Sequence, residues 1–396
     1  MHDSHSHSFK GQIAAASILA AFVTLIVIFA DHYNVRLEAP DKFIYDWRTS
    51  LFSTKIASQR QDITIVYIDE VSLAKYPYKS PIDRALIASL LRAIDRAKPK
   101  AIGIDIIFDR PTELDRDEAL LSTIQQTKAP LVLIGTDKSE SGISKEALEW
   151  QSTFLDSATK IVATPFFSAE ESTLLPKEDV IRTMEPFNEK TDERKPFALA
   201  LAKQVGNYKY PSAPLIDWLL PSSNGLEVFQ TFNVAQNDKV SLDADGDAVF
   251  PKVMQDALSN RYVIVAGNLT GSDWHQIPMT VRNNVEVPGA YIHAQILAQI
   301  LDCRQIKDAP EPFTILVVFF TALLLYLCIE VVAEKLPEIV FEPLIIGLAI
   351  LLGALMFWVF RVSFPSAHLL MVWFLVAFFG KYTSALLKRL RRRARN

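Results

Sequence analysis

An α/β domain with a mostly parallel sheet, carried by an α-helical membrane anchor, is the architecture this sequence predicts. Three observations lead to it. Long charge-free apolar runs are confined to the two ends of the chain; the middle alternates short β-branched runs with amphipathic stretches; and each connection between runs is long enough to return a parallel strand. Half of the 396 residues are hydrophobic, so the ends and the middle have to be read apart.

Gly11 to Ala30 carries no charge, and a helix of that length rises ~30 Å, the thickness of a hydrocarbon core. A cleavable signal peptide would have a shorter apolar run and a better cleavage site than Ile28 and Ala30 offer, so a retained anchor is expected. Phe313–Ile329, Pro343–Phe360 and Phe364–Gly380 are further charge-free runs with too little chain around them to bury them in a soluble core. One N-terminal helix (residues 11–31) and three C-terminal ones (311–332, 343–361 and 362–387) are expected, with a large domain over residues 32–310 and a loop at 333–342.

The tail at residues 388–396 contains Lys388, Arg389, Arg391, Arg392, Arg393 and Arg395 and no acid. Positive residues beside a span stay in the cytoplasm, so both termini (1–10 and 388–396) are expected inside and the large domain outside. Glu330, Glu334, Glu338 and Glu342 in the inner loop run against this, but acids weigh little in the rule. Attraction to anionic lipid explains the basic tail, and a net charge of −4 calls for no nucleic-acid partner. Cys303 and Cys328 supply no disulfide framework, so the domain must hold together by its own core.

Within the middle, Ile63–Ile68 reads as a strand, and Ala85–Ala97 as a helix with Leu86, Ile87, Leu90, Leu91 and Ile94 on one face. Pro99 closes that helix and Ala101–Phe108 is the next strand, expected to pair in parallel with the first. Glu118–Thr127 (helix), Leu131–Ile134 and Lys160–Ala163 (strands), Phe197–Gln204 (helix), Tyr262–Ala266 (strand) and Ala290–Leu301 (helix) continue the pattern. Ser139–Ser157 and Gly206–Asn260 carry no clear periodicity and receive no assignment.

Ligands of open parallel sheets bind beyond the carboxyl ends of the strands, and the residues at those ends here are mostly acidic. Asp69 and Glu70 end the first strand; Asp105 and Asp109 lie in and after the second; Asp273 and His275 follow the strand at Tyr262. If these ends adjoin, their carboxylates and imidazole suit a hard cation or a cationic ligand; the bland alternative is helix capping and ion pairing. Asp105 interrupts an apolar strand and so needs a partner, for which Arg84 is the candidate.

Other patterns carry less. Asp243, Asp245, Gly246 and Asp247 resemble the start of a calcium loop, but Met254 stands where a bidentate acid is required. Gly267 and Gly271 read as a tight turn rather than a phosphate nest, and His2, His5 and His7 as a disordered segment without fixed partners. Neither a Gly-x-Ser-x-Gly elbow nor a His-Glu-x-x-His helix occurs, and nothing calls for a cofactor.

The order of features over Asp41–Asp302 resembles the type-two CHASE family, sensory extracellular domains associated with bacterial cyclases and histidine kinases. The resemblance rests on Asp46 and Arg48, on Asp62–Glu70 with Ser72 and Leu73, on Ser80–Arg84, and on Ile102–Phe108. It resumes at Val263–Gly267, Asp273–His275, Pro278 and Val287–Gln295. Tyr76, Pro77 and Tyr78 depart from the family, in which a tryptophan-rich turn is more usual, and the chain ends at Asn396 where members commonly continue into an output domain. The resemblance implies a sensor in the bacterial cytoplasmic membrane, facing the periplasm or exterior, that detects an unidentified ligand and signals to a separate cytoplasmic partner such as a kinase or cyclase. A homodimer is compatible with it, and catalysis is not expected. The rivals are an envelope scaffold without ligand and a periplasmic enzyme using Asp105, Asp273 and His275.

Overall fold

The computed structural model describes residues 2–32, 38–76, 78–136, 143–165, 180–221, 227–234, 241–242, 248–269, 273–284, 286–332 and 338–395. The chain forms two units: a helical one from Met1–Phe52 and Ile306–Asn396, and an α/β one from Ser53–Glu171 and Lys177–Gln305. The resembling calcium loop at Asp243–Asp247, and Gly271, lie outside the described residues.

In chain order the helices are α1 (His2–His32), α2 (Glu38–Phe52), α3 (Arg84–Arg96), α4 (Leu114–Gln126), α5 (Lys145–Ala158) and α6 (Phe197–Lys203). They continue with α7 (Lys252–Leu258), α8 (Thr280–Asn283), α9 (Gly289–Leu301), α10 (Glu311–Val332), α11 (Glu338–Phe360) and α12 (Ser366–Arg395). The strands of the main sheet are β1 (Ile63–Asp69), β2 (Ala101–Asp105), β3 (Leu131–Ile134), β4 (Ile161–Thr164), β5 (Lys195–Pro196), β6 (Gln230–Asn233) and β7 (Tyr262–Asn268). Their spatial order is β5-β4-β3-β2-β7-β1-β6, and every pairing is parallel.

β1 and β2 are not neighbours, as their sequence proximity suggested. β7 enters between them, with Val263 opposite Thr64 on one side and Ile102 on the other. A central strand supplied from far along the chain leaves no local signal, because the α3 crossover is long enough to skip one strand as well as to reach the next. β2 also ends at Asp105, so Ile106–Phe108, expected as strand, lie beyond the ladder.

Helices cover both faces, so side chains of opposite parity enter two separate cores. Val66, Ile68, Ile102, Ile104, Leu131, Leu133, Val263 and Val265 pack with α3, α4, α5 and α7. Ile63, Ile65, Tyr67, Ala101, Val132, Ile134, Ile264 and Ala266 pack with α6 and α9. Asp105 therefore belongs to the α9 face, two residues on from Gly103. On α9, Gln295 and Gln299 stand one turn apart. Gln295 Oε1 accepts from Leu219 N at 2.9 Å and Gln299 Oε1 from Asp217 N at 2.8 Å, satisfying an otherwise irregular buried segment.

In the helical unit, Ala16, Ala20 and Val23 of α1, Val318 and Ala322 of α10, and Val372 and Val376 of α12 share one buried cluster. Among the described residues two helical stretches are long and apolar enough to cross a membrane, Ile13–Ala30 and Glu311–Cys328, which are two of the four expected spans. In the other two, the apolar stretches among the described residues are shorter, Ile350–Phe360 and Ser366–Gly380. α1 starts at His2, so the segment expected to be disordered is helical, and α12 continues through the basic tail to Arg395. α2 belongs to this unit. Its Arg48 is buried, donates from Nη2 to Ser363 Oγ at 3.0 Å and stacks 4.8 Å over Phe357, tying α2 to the α11–α12 turn.

Gly103 carries α6 against β2: a Cβ there would lie 2.5 Å from Phe197 Cζ and 2.8 Å from Leu201 Cδ1. Gly103→Ala is expected to destabilise the α/β unit by about 1–3 kcal/mol through overpacking, with partial recovery when Phe197→Leu is added. Thermal unfolding of the solubilised chain measures it, and an unchanged melting temperature would show that α6 does not press on β2.

Candidate functional site

Because all strands run the same way, their carboxyl ends open on one edge, and a cleft of about 350 Å³ lies there. Its polar lining is Ser80, Arg84, Asp105, Asp109, Asp273 and His293. Its apolar lining includes Ile82, Ile106, Ile107, Ile134, Ile143 and Leu269. Gly267, near the end of β7, also lines it and presents no side chain.

Asp105 is positioned by β2, whose parity turns it toward α9. There His293 Nε2 lies 3.9 Å from Asp105 Oδ1, with the two side chains only 2% and 11% exposed. Asp105 Oδ2 is buried without a hydrogen-bond partner among the described residues. Burial, then the charge of Asp273, pushes the Asp105 carboxyl well above the usual carboxylate range. Burial also holds His293 down at about 3, against the opposing pull of Asp273. Burial thus favours the neutral form of both groups.

Asp273 comes from a short hairpin in which Trp274–His275 pairs antiparallel with Val287–Pro288. Its backbone adopts the left-handed region at φ 55°, which aspartate tolerates, and its carbonyl accepts from Gly289 N at 3.0 Å. A Cβ on Gly289 would fall 2.5 Å from Asp273 Oδ2, so only glycine at the start of α9 leaves that carboxylate its place. His275 Nε2 is hydrogen-bonded to Asp273 Oδ1 at 2.9 Å.

Arg84 does not pair with Asp105. It opens α3 on the other face of the sheet, where its Nε lies 3.4 Å from Asp117 Oδ1 and its guanidinium stacks 4.6 Å from the Phe108 ring. Its side chain is 1% exposed, and Nη1 has no hydrogen-bond partner among the described residues. Burial lowers its pKa, opposed first by Asp117 and then by Asp109. Asp83 fixes this corner by capping α3, accepting from Ala85 N at 2.9 Å and Leu86 N at 3.1 Å, and by pairing with Arg116.

The edge therefore gathers Asp105, Asp109 and Asp273 from the expected set, together with Arg84. Asp69 and Glu70 do not line the cleft. Asp69 Oδ1 accepts from Ser72 N at 2.8 Å to close a turn, and Glu70 pairs with Lys79 at 2.9 Å. His275 reaches it only through Asp273. Asp109 is held by Arg110 at 2.8 Å, and that bond lowers its pKa. His293 escaped sequence reading because it sits in the apolar helical run Ala290–Leu301, where an imidazole passes for core. No group of three or more His, Cys, Asp or Glu positioned to hold a metal ion occurs among the described residues, so the hard-cation form of the site has no constellation behind it.

The Asp105 shift fixes a sign. A folded-state pKa above the unfolded ~3.9 means that the carboxyl's stabilising contribution is complete below that value and is lost as pH rises through the folded pKa. His293, with its folded pKa depressed, acts the other way, losing stability as pH falls from ~6.5 toward the folded value. Asp105→Asn removes only the first dependence. The variant should gain steadily on the wild type in melting temperature as pH is raised above ~4, and a pH-independent difference would contradict an Asp105 pKa raised by burial.

No curated protein and no solved structure matches the chain. The model of the CHASE2 domain, a sensory extracellular domain family, matches residues 19–330, and its span covers every residue of the cleft just described. The chain belongs to the CHASE2 domain family.

Proposed function

We propose that this chain is a membrane-anchored sensor whose α/β unit stands outside the cytoplasmic membrane of a bacterium, holds a small ligand in the carboxyl-edge cleft, and signals to a cytoplasmic partner. The observation that carries the reading is the cleft itself: it contains a buried carboxyl and a buried guanidinium, each with a polar atom that has no hydrogen-bond partner among the described residues. Leaving such atoms unpaired costs about 1–3 kcal/mol each. A ligand that completes them recovers that cost in the bound state alone, which is what differential affinity for two states requires.

The anchoring is supported by the apolar stretches of α1 and α10, and the orientation by the basic end of α12. Four spans, one before the sensor and three after, agree with the even count that returns both termini to the cytoplasm. α1 and α10 pack on each other, and a change in their packing is the available route inward. The cleft is read as binding rather than catalytic.

Two measurements test this. Alkaline phosphatase inserted in the exposed turn at Glu189 should be active and a fusion after Asn396 inactive; the reverse pattern would overturn the orientation. In a melting screen of small molecules on the full chain in nanodiscs, a stabilising compound should lose its effect in Ile107→Trp, since Ile107 is 40% exposed and lines the cleft. Equal stabilisation of both proteins by every active compound would place binding elsewhere.

A further inference from the structure

We propose that the ligand of this cleft is a zwitterionic α-amino acid with an aliphatic side chain, its ammonium group on Asp105 and Asp273 and its carboxylate on Arg84. The inference rests on the sensor reading above and names the ligand class of the same site. Its basis is the separation of charge across the sheet edge. Asp105 lies on the α9 face beside His293 and under the influence of Asp273. Arg84 lies on the α3 face, where its charged neighbours are Asp117 and Asp109. One cleft thus has an acidic pole and a cationic pole that do not neutralise each other directly, and Gly267, which also lines it, has no side chain to obstruct it.

Each pole has an open valence. Asp105 Oδ2 and Arg84 Nη1 are buried and lack hydrogen-bond partners among the described residues, and the Arg84 side chain is only 1% exposed. A carboxylate matches a guanidinium edge, and an ammonium matches paired carboxylates. The cleft is also lined by Ile82, Ile106, Ile107, Ile134 and Ile143, which favour an aliphatic group over a polar one. A volume of about 350 Å³ suits a molecule of this size better than a peptide or a nucleotide. A simple amine leaves Arg84 Nη1 and a simple acid leaves Asp105 Oδ2 without the ligand partner, and a metal ion finds no three-ligand group among the described residues.

Binding has a proton signature. The groups facing Asp105 are His293 on α9, Asp273 with its partner His275 on the hairpin, and Tyr67 on β1. Burial and the charge of Asp273 raise the Asp105 pKa, whereas an ammonium beside it favours the carboxylate, so a proton held there leaves to solvent as the ion pair forms.

The test is calorimetric titration of the full chain in nanodiscs with L-leucine, with 3-methylbutan-1-amine, which lacks the carboxylate, and with 4-methylpentanoate, which lacks the ammonium group. Leucine should bind with a saturable heat that varies with the ionisation enthalpy of the buffer, and each truncated compound should bind at least about tenfold more weakly. Asp273→Asn, at a half-exposed side chain whose loss spares the core, should weaken leucine about tenfold while leaving 4-methylpentanoate unchanged. Arg84→Lys should produce the converse pattern, and if that variant fails to fold the truncated ligands still decide. The amine binding as tightly as leucine would overturn the zwitterion, and so would absence of binding by leucine, isoleucine, valine and alanine up to ~10 mM. If the melting screen yields a compound that Ile107→Trp blocks while the amino acids fail, the ligand class falls and the sensor reading stands. If compounds stabilise wild type and Ile107→Trp alike, the sensor reading of the cleft itself falls.

Discussion

The parallel run of the strands is the constraint from which the rest of the α/β unit follows. A sheet whose connections all return the same way needs helices on both faces, and those helices hide every side chain except at the edges. Chemistry is thereby confined to the residues where strands stop. β2 stops at Asp105, two residues beyond the glycine that admits Phe197, and its parity aims the carboxyl at His293 rather than at Arg84. The same alternation that builds two apolar cores thus divides opposite charges between two faces of one edge.

Charges kept apart in this way are unstable by design of the fold rather than by accident of packing. Asp105 is raised and His293 depressed for the same reason, removal from water; the charge of Asp273, whose carboxylate lies against Gly289, adds to the first shift and opposes the second. Replacing such a group by an apolar one often costs nothing and sometimes stabilises, so its presence in a strand is better explained by binding than by folding. Arg84 differs, since Asp117 and the Phe108 ring give it structural partners, yet these leave Nη1 unsatisfied.

Much of this was legible in the sequence. Short β-branched runs and three- and four-residue spacing located the strands and helices that pack on the core, Leu131–Ile134 to the residue. The acidic strand ends pointed to the edge on which the cleft opens. Four things stayed hidden for physical reasons. The insertion of β7 between β1 and β2 is a long-range pairing with no local trace. The helix α5 and strand β6 fell in stretches whose polar residues mask periodicity, Gln230–Asn233 being half-buried along its whole length. His293 was concealed by its apolar neighbours, and the separation of Arg84 from Asp105 depends on strand parity combined with where β2 ends, which was placed three residues too late. In the helical unit, composition found the apolar segments, while the assignment of α2 to that unit through Arg48 and the α11–α12 turn requires the tertiary contact.

The central claim is that ligand binds where the strands end, and hydrogen exchange of the full chain in nanodiscs tests it most directly. With a stabilising ligand, the account predicts slowed exchange concentrated at Ile82–Arg84, Ile106–Asp109, Gly267–Leu269 and Asp273, all at the carboxyl edge. Protection confined to the opposite edge, at Ala97–Lys100, Thr127–Ala129 and Ser259–Arg261, would contradict it.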